Sequence, residues 1–143
     1  MKKILTYIIV ALCLTTACGQ SKVRKAQSQN NSIEVNLNFE SVFVNEFAEL
    51  IADTSVVVLD VRTANEFAEG HIARAMSIDF LQEDFLEKAK AQLPKDKTIA
   101  VYCRSGKRSA TAAGKLSDLG YKVVNMKGGI LAWKDAEMPL TTE

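Results

Sequence analysis

Residues 98–109, TIAVYCRSGKRS, join a strand pattern to a polar, cationic loop. The first half is a short, continuous apolar run rich in β-branched residues, which is typical of a strand covered on both faces in a parallel sheet. The second half contains one glycine and three cations, and an amphipathic segment follows from about Ser109 to Leu119. The stretch therefore predicts a buried strand, a loop and a helix in direct succession.

The same alternation of strands and helices extends to both sides of this stretch. A second apolar run, SVVVLDV at 55–61, predicts another covered strand, and residues 121–125 predict a third. A short extended piece is expected at 75–78. Helices are expected between and around these strands, at 43–51 with Phe43 on the apolar face and Glu40 on the polar face, at 63–68, at about 81–92, at 109–119, and from Gly128 through Trp133. Such alternation predicts an α/β fold with a central parallel sheet and helices on both faces.

Length and composition limit the class of protein. The chain has 143 residues, of which 48% are hydrophobic and 24% charged, and this is an ordinary globular composition for one domain. The net charge of +1 lacks the strong basic field that nucleic-acid binding needs, so no nucleic-acid partner is expected. Residues 39–143 contain 13 Lys and Arg and 16 Asp and Glu, a net charge of −3. Any anion site must therefore be built locally.

The N-terminal residues 1–17 have the order of a signal peptide. Two lysines precede an apolar run at 4–14, and small residues follow it. That run has 11 residues, whereas a membrane-spanning helix needs about 20. We therefore expect export rather than a retained transmembrane anchor.

We expect the exported protein to be anchored to the membrane by lipid on Cys18. Residues 14–18 resemble the lipobox of bacterial lipoproteins, although Thr15 stands where a lipobox usually has Leu. Cleavage as a soluble secreted protein is the alternative, because the same small residues suit an ordinary signal. Residues 18–38 are polar and predict a tether, followed by the domain at 39–143. The predicted location is the bacterial periplasm or cell envelope, with membrane contact through the lipid only.

The loop after the apolar run at 98–103 has the properties that a reactive thiol needs. Cys103 ends the strand, and a predicted helix N-terminus with nearby cations favours a thiolate and an anion. Gly106 allows successive amides to face one point, and Ser105 can donate a hydrogen bond. The alternative is a buried structural cysteine in a solvated turn. The candidate site residues are Cys103, Arg104, Ser105, Gly106, Lys107 and Arg108.

Metal binding is not expected at this loop. No second cysteine or histidine lies at ligand spacing, and the single histidine of the sequence is His71. We expect no metal and no cofactor. The three cysteines do not indicate a disulfide either, because Cys13 leaves with the signal peptide and Cys18 lies at the end of the tether. Cys103 alone belongs to the predicted domain.

Three separate motifs resemble the rhodanese family. Residues 103–108 match the family loop Cys-Arg-x-Gly-x-Arg, and residues 59–62 with Glu66, Phe67 and 70–72 look like its first signature. Residues 128–133, GGILAW, resemble its C-terminal signature. The resemblance covers about residues 39–140 and implies a single rhodanese-like α/β domain. It also implies a thiosulfate sulfurtransferase.

The resemblance implies a mechanism with two half-reactions. The Cys103 thiolate would take sulfur from a small anionic donor such as thiosulfate, and a thiol or cyanide would then accept it in ping-pong fashion. The amides of 104–108 would hold the outer sulfur, with Arg104, Lys107 and Arg108 attracting the donor. Asp60 and Arg62 are expected to support the loop as an ion pair, with Arg62 reaching the site. The protein is expected to act as a monomer.

Two other functions are compatible with such a loop. Cysteine-dependent phosphatases place an arginine six residues after the cysteine, but here that position is Ser109 and Arg108 comes five after. The shorter loop suits a sulfur atom better than a phosphoryl group. A binding module that keeps the fold without chemistry is the second alternative, although such modules usually lose the cysteine.

Overall fold

The computed structural model describes residues 38–143. The predicted signal peptide, the predicted lipidation at Cys18 and the tether up to residue 37 lie outside the described residues. Within 38–143, no helix combines the length and the apolar character needed to cross a membrane.

A five-stranded, all-parallel sheet forms the centre of the domain, as predicted. Its strands are β1 (Glu40–Val42), β2 (Val57–Asp60), β3 (Met76–Ser77), β4 (Thr98–Tyr102) and β5 (Lys122–Met126). They are arranged in the order β1-β5-β4-β2-β3. Asp60 at the end of β2 lies opposite Tyr102 at the end of β4, so Cys103 and Arg62 leave the sheet at the same edge. Ligands of open parallel sheets bind at this edge.

Helices cover both faces of the sheet, and this prediction is also confirmed. The helices are α1 (Val44–Ala52), α2 (Ala64–Ala68), α3 (Phe85–Gln92), α4 (Lys107–Asp118) and α5 (Gly129–Asp135). One core lies under α3 and α4, and the other lies under α1 and α5. Alternate residues of the central strands enter the two cores: Val101 faces the first, whereas Ala100 and Tyr102 face the second. Both faces are covered, which explains the unbroken apolar runs.

Strand β1 was not predicted. Glu40 was expected on the polar face of a helix, but residues 40–42 pair in parallel with Val124–Met126 of β5. Residues 40–42 are too few to show a hydrophobic periodicity. They become extended because they pair with the edge of β5. The first helix therefore starts one residue later than expected. Phe43 is its N-cap and is 66% exposed, so its placement on the apolar face was wrong.

Two further helix starts differ from the prediction by two residues or more. α3 begins at Phe85 rather than at about Leu81, because the Asp79 carboxylate accepts a hydrogen bond from the Leu81 amide at 2.9 Å and fixes a turn there. α4 begins at Lys107, two residues before Ser109, directly after Gly106 in a left-handed conformation (φ +90°). The loop between β4 and α4, residues 103–106, is called the sulfur loop below; it is therefore shorter than expected, and the helix N-terminus is closer to Cys103.

The two aromatic residues at the start of α1 are predicted to contribute very differently to stability. Phe47 is fully buried and makes edge-on contacts with Tyr102 and Trp133. Phe47→Ala should lower the free energy of unfolding by about 3–5 kcal/mol because it removes a buried ring and leaves a cavity. Phe43→Ala should cost less than about 1 kcal/mol. Urea denaturation of both variants checks this, and equal losses would contradict the burial assigned to them.

Candidate active site

The sulfur of Cys103 lies at the N-terminus of α4. The residue is 1% exposed. Its Sγ accepts a hydrogen bond from the Gly106 amide at 3.1 Å and from the Ser109 hydroxyl at 3.4 Å. Both donors, together with the positive end of the helix dipole, stabilise negative charge on sulfur.

Ser109 was not among the predicted site residues. It is fully buried, and its hydroxyl lies between the Cys103 sulfur and the Gly106 carbonyl, 3.2 Å away. Its position in the first turn of α4, three residues after Gly106, turns its side chain back toward the end of β4. The sequence contained one signal for this contact: a serine in the first turn of the helix that follows Cys103.

The carbonyl side of the loop is held by α5. The Ile130 amide donates to the Cys103 carbonyl at 2.8 Å, and the Leu131 amide donates to the Arg104 carbonyl at 3.1 Å. Gly129 allows this approach, because a Cβ atom there would lie 2.5 Å from the Arg104 oxygen. Gly106 is similarly tight, since its Cβ would lie 3.0 Å from the Gly128 nitrogen. The glycine pair at 128–129 is thus a support for the loop.

Asp60 and Arg62 form a buried ion pair beneath this edge of the sheet. The Arg62 Nη2 atom lies 2.6 Å from Asp60 Oδ2 and also donates to the Gly70 carbonyl at 2.8 Å. Burial disfavours the charged guanidinium, yet the hydrogen bonds and charge of Asp60 prevail and raise the pKa of Arg62 above its ordinary value. The pair fixes the end of β2 to the turn at Gly70.

A second ion pair, between Glu66 and Arg108, links α2 to α4. Two hydrogen bonds join the guanidinium to the carboxylate, at 2.9 and 2.7 Å. The Thr63 amide and hydroxyl each donate to Glu66 at 3.0 Å. The Arg108 hydrogen bonds, aided by Thr63, lower the pKa of Glu66 to about 2. The same pair raises the pKa of Arg108.

The Glu66–Arg108 pair was not predicted, because it joins residues 42 positions apart. The only local signal was the capping-box pattern of Thr63 and Glu66. Its consequence is that the charge of Arg108 is offset by a neighbour. Arg104 and Lys107 are exposed, and neither forms an ion pair within residues 38–143.

A cleft of about 420 Å³ borders the loop on the side of α2 and α5. It is lined by Arg62, Glu66, Glu69, Arg104, Ile130, Leu131 and Lys134. A second hollow, of about 310 Å³, lies at the beginning of β1 and β5, at the opposite end of those strands from the loop. Of these two hollows, the first is the one that borders the loop after Cys103. Within the described part of the chain, no cluster of three or more His, Cys, Asp or Glu residues could hold a metal ion.

The geometry thus brings Cys103, Gly106 and Ser109 into direct contact and arranges the remaining predicted residues around them. Ser105 is exposed and makes no side-chain hydrogen bond within residues 38–143. Asp60 and Arg62 lie together as an ion pair, and Arg62 reaches the cleft. The arrangement can stabilise a thiolate and attract an anion from the side of Arg104 and Lys107.

Comparison with known proteins gives a consistent family. The model of the rhodanese-like domain matches residues 43–136. A sulfurtransferase of Allochromatium vinosum is 36% identical over 95 residues, covering 65% of this chain and 86% of that protein. Thiosulfate sulfurtransferase 18 of Arabidopsis thaliana is 39% identical over 97 residues, covering 59% and 71%. The crystal structure of a rhodanese-related protein from Thermoplasma volcanium superposes with a TM-score of 0.67 at 36% identity, covering 73% of this chain and all of that one.

Two glycine-to-alanine changes are predicted to have opposite effects on stability. Gly129→Ala should lower the free energy of unfolding by more than about 1 kcal/mol, because its φ of +59° and its contact with the loop carbonyls leave no place for a Cβ atom. Gly114→Ala, inside α4, should raise it by about 0.4–1 kcal/mol, since its Cβ would meet only the Phe39 ring at 3.7 Å. Urea denaturation measures both, and a neutral Gly129→Ala would refute the tight approach.

The pH dependence of stability should show the Glu66–Arg108 pair. The carboxylate has a pKa of about 2 in the folded protein against an ordinary value of 4.5, so its contribution to stability is complete above pH 4.5 and disappears as the pH falls toward 2. Glu66→Gln should lower the free energy of unfolding at pH 7 by about 1–2 kcal/mol. The difference in free energy of unfolding between Glu66→Gln and the wild type should become smaller as the pH falls from 4.5 to 2. Glu87→Gln, on the exposed face of α3, serves as the control, and a gap that stays constant with pH would contradict the pairing.

Proposed function

The chain belongs to the rhodanese-like domain family, and from that premise we propose that it is a sulfurtransferase that carries sulfane sulfur as a persulfide on Cys103. The supporting observation is the contact of a buried sulfur with two donors, the Gly106 amide and the Ser109 hydroxyl, at the N-terminus of a 12-residue helix. This surrounding suits an anionic sulfur nucleophile. The sulfurtransferase names of its relatives agree with it.

In the first half-reaction, thiosulfate is the proposed donor. The Cys103 thiolate attacks the outer sulfur of thiosulfate, the bond between the two donor sulfurs breaks, and sulfite leaves with the electron pair. The new bond is the disulfide bond of the persulfide, whose outer sulfur carries the negative charge. Arg104 and Lys107, which are exposed and have no ion-pair partner within residues 38–143, would attract the dianion and stabilise the departing sulfite.

In the second half-reaction, a thiol is the proposed acceptor. Its thiolate attacks the outer sulfur, the bond to Cys103 Sγ breaks, and the electron pair returns to the Cys103 thiolate. The acceptor leaves as a persulfide. Cys103 is the one cysteine within residues 38–143, so no neighbouring thiol of the described domain competes with an external acceptor.

The phosphatase alternative is disfavoured by the same geometry. A phosphoryl group needs an arginine that is free to bind its oxygens, whereas Arg108 is joined to Glu66 by two hydrogen bonds. The residue one position later is Ser109, whose hydroxyl already contacts the sulfur. The loop is thus filled at the position where phosphate recognition would require a cation.

We also propose that the enzyme works at the bacterial cell envelope, in the periplasm, held by lipid on Cys18. The support for this location comes from sequence alone: the lysines and apolar run of residues 1–14 and the small residues before the cysteine. Acyl chains on that cysteine would anchor stably, at about 0.8 kcal/mol for each buried CH₂ group. Residues 19–37 would let the domain reach acceptors near the membrane.

Mass spectrometry of the purified protein tests the persulfide. After incubation with thiosulfate, the peptide that contains Cys103 should gain the mass of one sulfur atom, and Cys103→Ser should gain none. The wild type should transfer sulfur from thiosulfate to cyanide without hydrolysing p-nitrophenyl phosphate. Phosphate release without sulfur transfer would reverse the assignment, and a folded wild type that neither loads nor turns over would favour a binding module.

A further inference from the structure

The cleft beside the sulfur loop contains charges of both signs that belong to no ion pair within residues 38–143. Glu69, Arg104 and Lys134 line it, and all three are exposed. The ion pairs of residues 38–143 are Arg62–Asp60, Lys88–Asp84 and Arg108–Glu66, so none of the three belongs to one. A cleft with unpaired charges of both signs can bind a ligand that itself carries both signs.

The Arg62 side chain forms a buried part of the same cleft. It is 4% exposed, and its Nε and Nη2 atoms donate to Asp60 and to the Gly70 carbonyl. The Arg62 guanidinium lines the cleft as a hydrogen-bond donor whose position is fixed and whose charge is offset by Asp60.

The size and lining of the cleft indicate a small ligand. Its volume of about 420 Å³ lies near the lower end of the range of small-molecule sites, about 300–1,000 Å³. The buried Ile130 and the exposed Leu131 add apolar surface to the charged lining. A small ligand that carries charged groups on a short aliphatic skeleton would match this lining.

The cleft is connected to the sulfur loop through the main chain. The Arg104 side chain lines it, while the Arg104 carbonyl accepts the Leu131 amide at 3.1 Å. The Ile130 amide binds the carbonyl of Cys103 itself. The cleft therefore adjoins the backbone of the loop that contains Cys103.

We propose that this cleft is an acceptor subsite for a small thiol that carries both a carboxylate and an ammonium group, as amino-acid thiols do. Lys134 binds the carboxylate and Glu69 binds the ammonium group, while Arg62 supplies the fixed donor. The inference rests on the proposed function, because it needs a persulfide on Cys103 to be discharged. In that step the acceptor thiolate takes the outer sulfur and leaves as a persulfide, and the electron pair of the broken bond returns to Cys103.

Single-turnover discharge of the loaded protein tests the proposal with four thiols that differ in charge. They are cysteine (both groups), 3-mercaptopropionate (carboxylate), cysteamine (ammonium) and 2-mercaptoethanol (neither). Lys134→Gln should slow discharge by the two carboxylate thiols about two- to fivefold relative to wild type, the effect of one exposed ion pair. Glu69→Gln should slow discharge by the two ammonium thiols by a similar factor. Neither variant should slow discharge by 2-mercaptoethanol.

Matched variants control for charge alone. Lys90→Gln and Glu87→Gln make the same charge changes on exposed positions of α3, which packs on the opposite face of the sheet from α5. They should leave all four rates unchanged. If Lys134→Gln and Glu69→Gln slowed all four thiols equally, the subsite would be overturned. If Lys134→Gln slowed the carboxylate thiols but Glu69→Gln did not slow the ammonium thiols, the contact of Glu69 with the ammonium group would be overturned.

Failure of the proposed function gives a different result from failure of the subsite. If thiosulfate leaves Cys103 unloaded, the donor assignment is wrong, and inorganic polysulfide can load the cysteine for the same discharge comparison. If thiosulfate loads Cys103 but the charge pattern of discharge is absent, the sulfurtransferase stands and the subsite does not.

Discussion

The geometry of the site depends on which groups donate hydrogen bonds to the carbonyls of the sulfur loop. A tight loop that directs an amide at a buried sulfur must direct carbonyls elsewhere, and a buried carbonyl without a partner costs about 1–3 kcal/mol. The first amides of any helix also lack partners within that helix. Here the Ile130 and Leu131 amides, at the start of α5, bind the carbonyls of Cys103 and Arg104. Each element supplies what the other lacks, and only a glycine at 129 lets them come this close.

The two ion pairs at this edge decide which cations are available to a substrate. Asp60 neutralises Arg62 inside the protein, and Glu66 neutralises Arg108 at the surface of α4. A buried pair contributes little net stability, but losing one partner would leave an unpaired buried charge at a cost of about 3–5 kcal/mol. The first pair fixes the end of β2 to the turn at Gly70 and the second joins α2 to α4, so the charge of each guanidinium is already offset. The attraction of anions falls to the exposed Arg104 and Lys107, on a domain whose net charge is −3.

Local patterns predicted the parts of this protein whose causes are local. The central strands are apolar on both faces because both faces are covered, and the motif from Cys103 to Arg108 marks the loop by its residue types alone. Strand β1 was missed because its three residues become extended only against the edge of β5. The Glu66–Arg108 pair and the contact of Gly129 with the loop join distant parts of the chain, and no spacing along the sequence encodes their distances. Ser109 was overlooked because the start of α4 was placed two residues too late.

The position of the cleft follows from the double role of α5. Its first turn binds the carbonyls of the sulfur loop, and its later residue Lys134 faces the cleft. A helix of seven residues packed through Ile130 and Trp133 is short and firmly held, so the distance between its two ends is fixed. An acceptor bound by Lys134, as proposed above, would be kept near the loop that contains Cys103. Such positioning favours reaction of a bound acceptor over one that collides from solution, because orientation is settled before the sulfur moves.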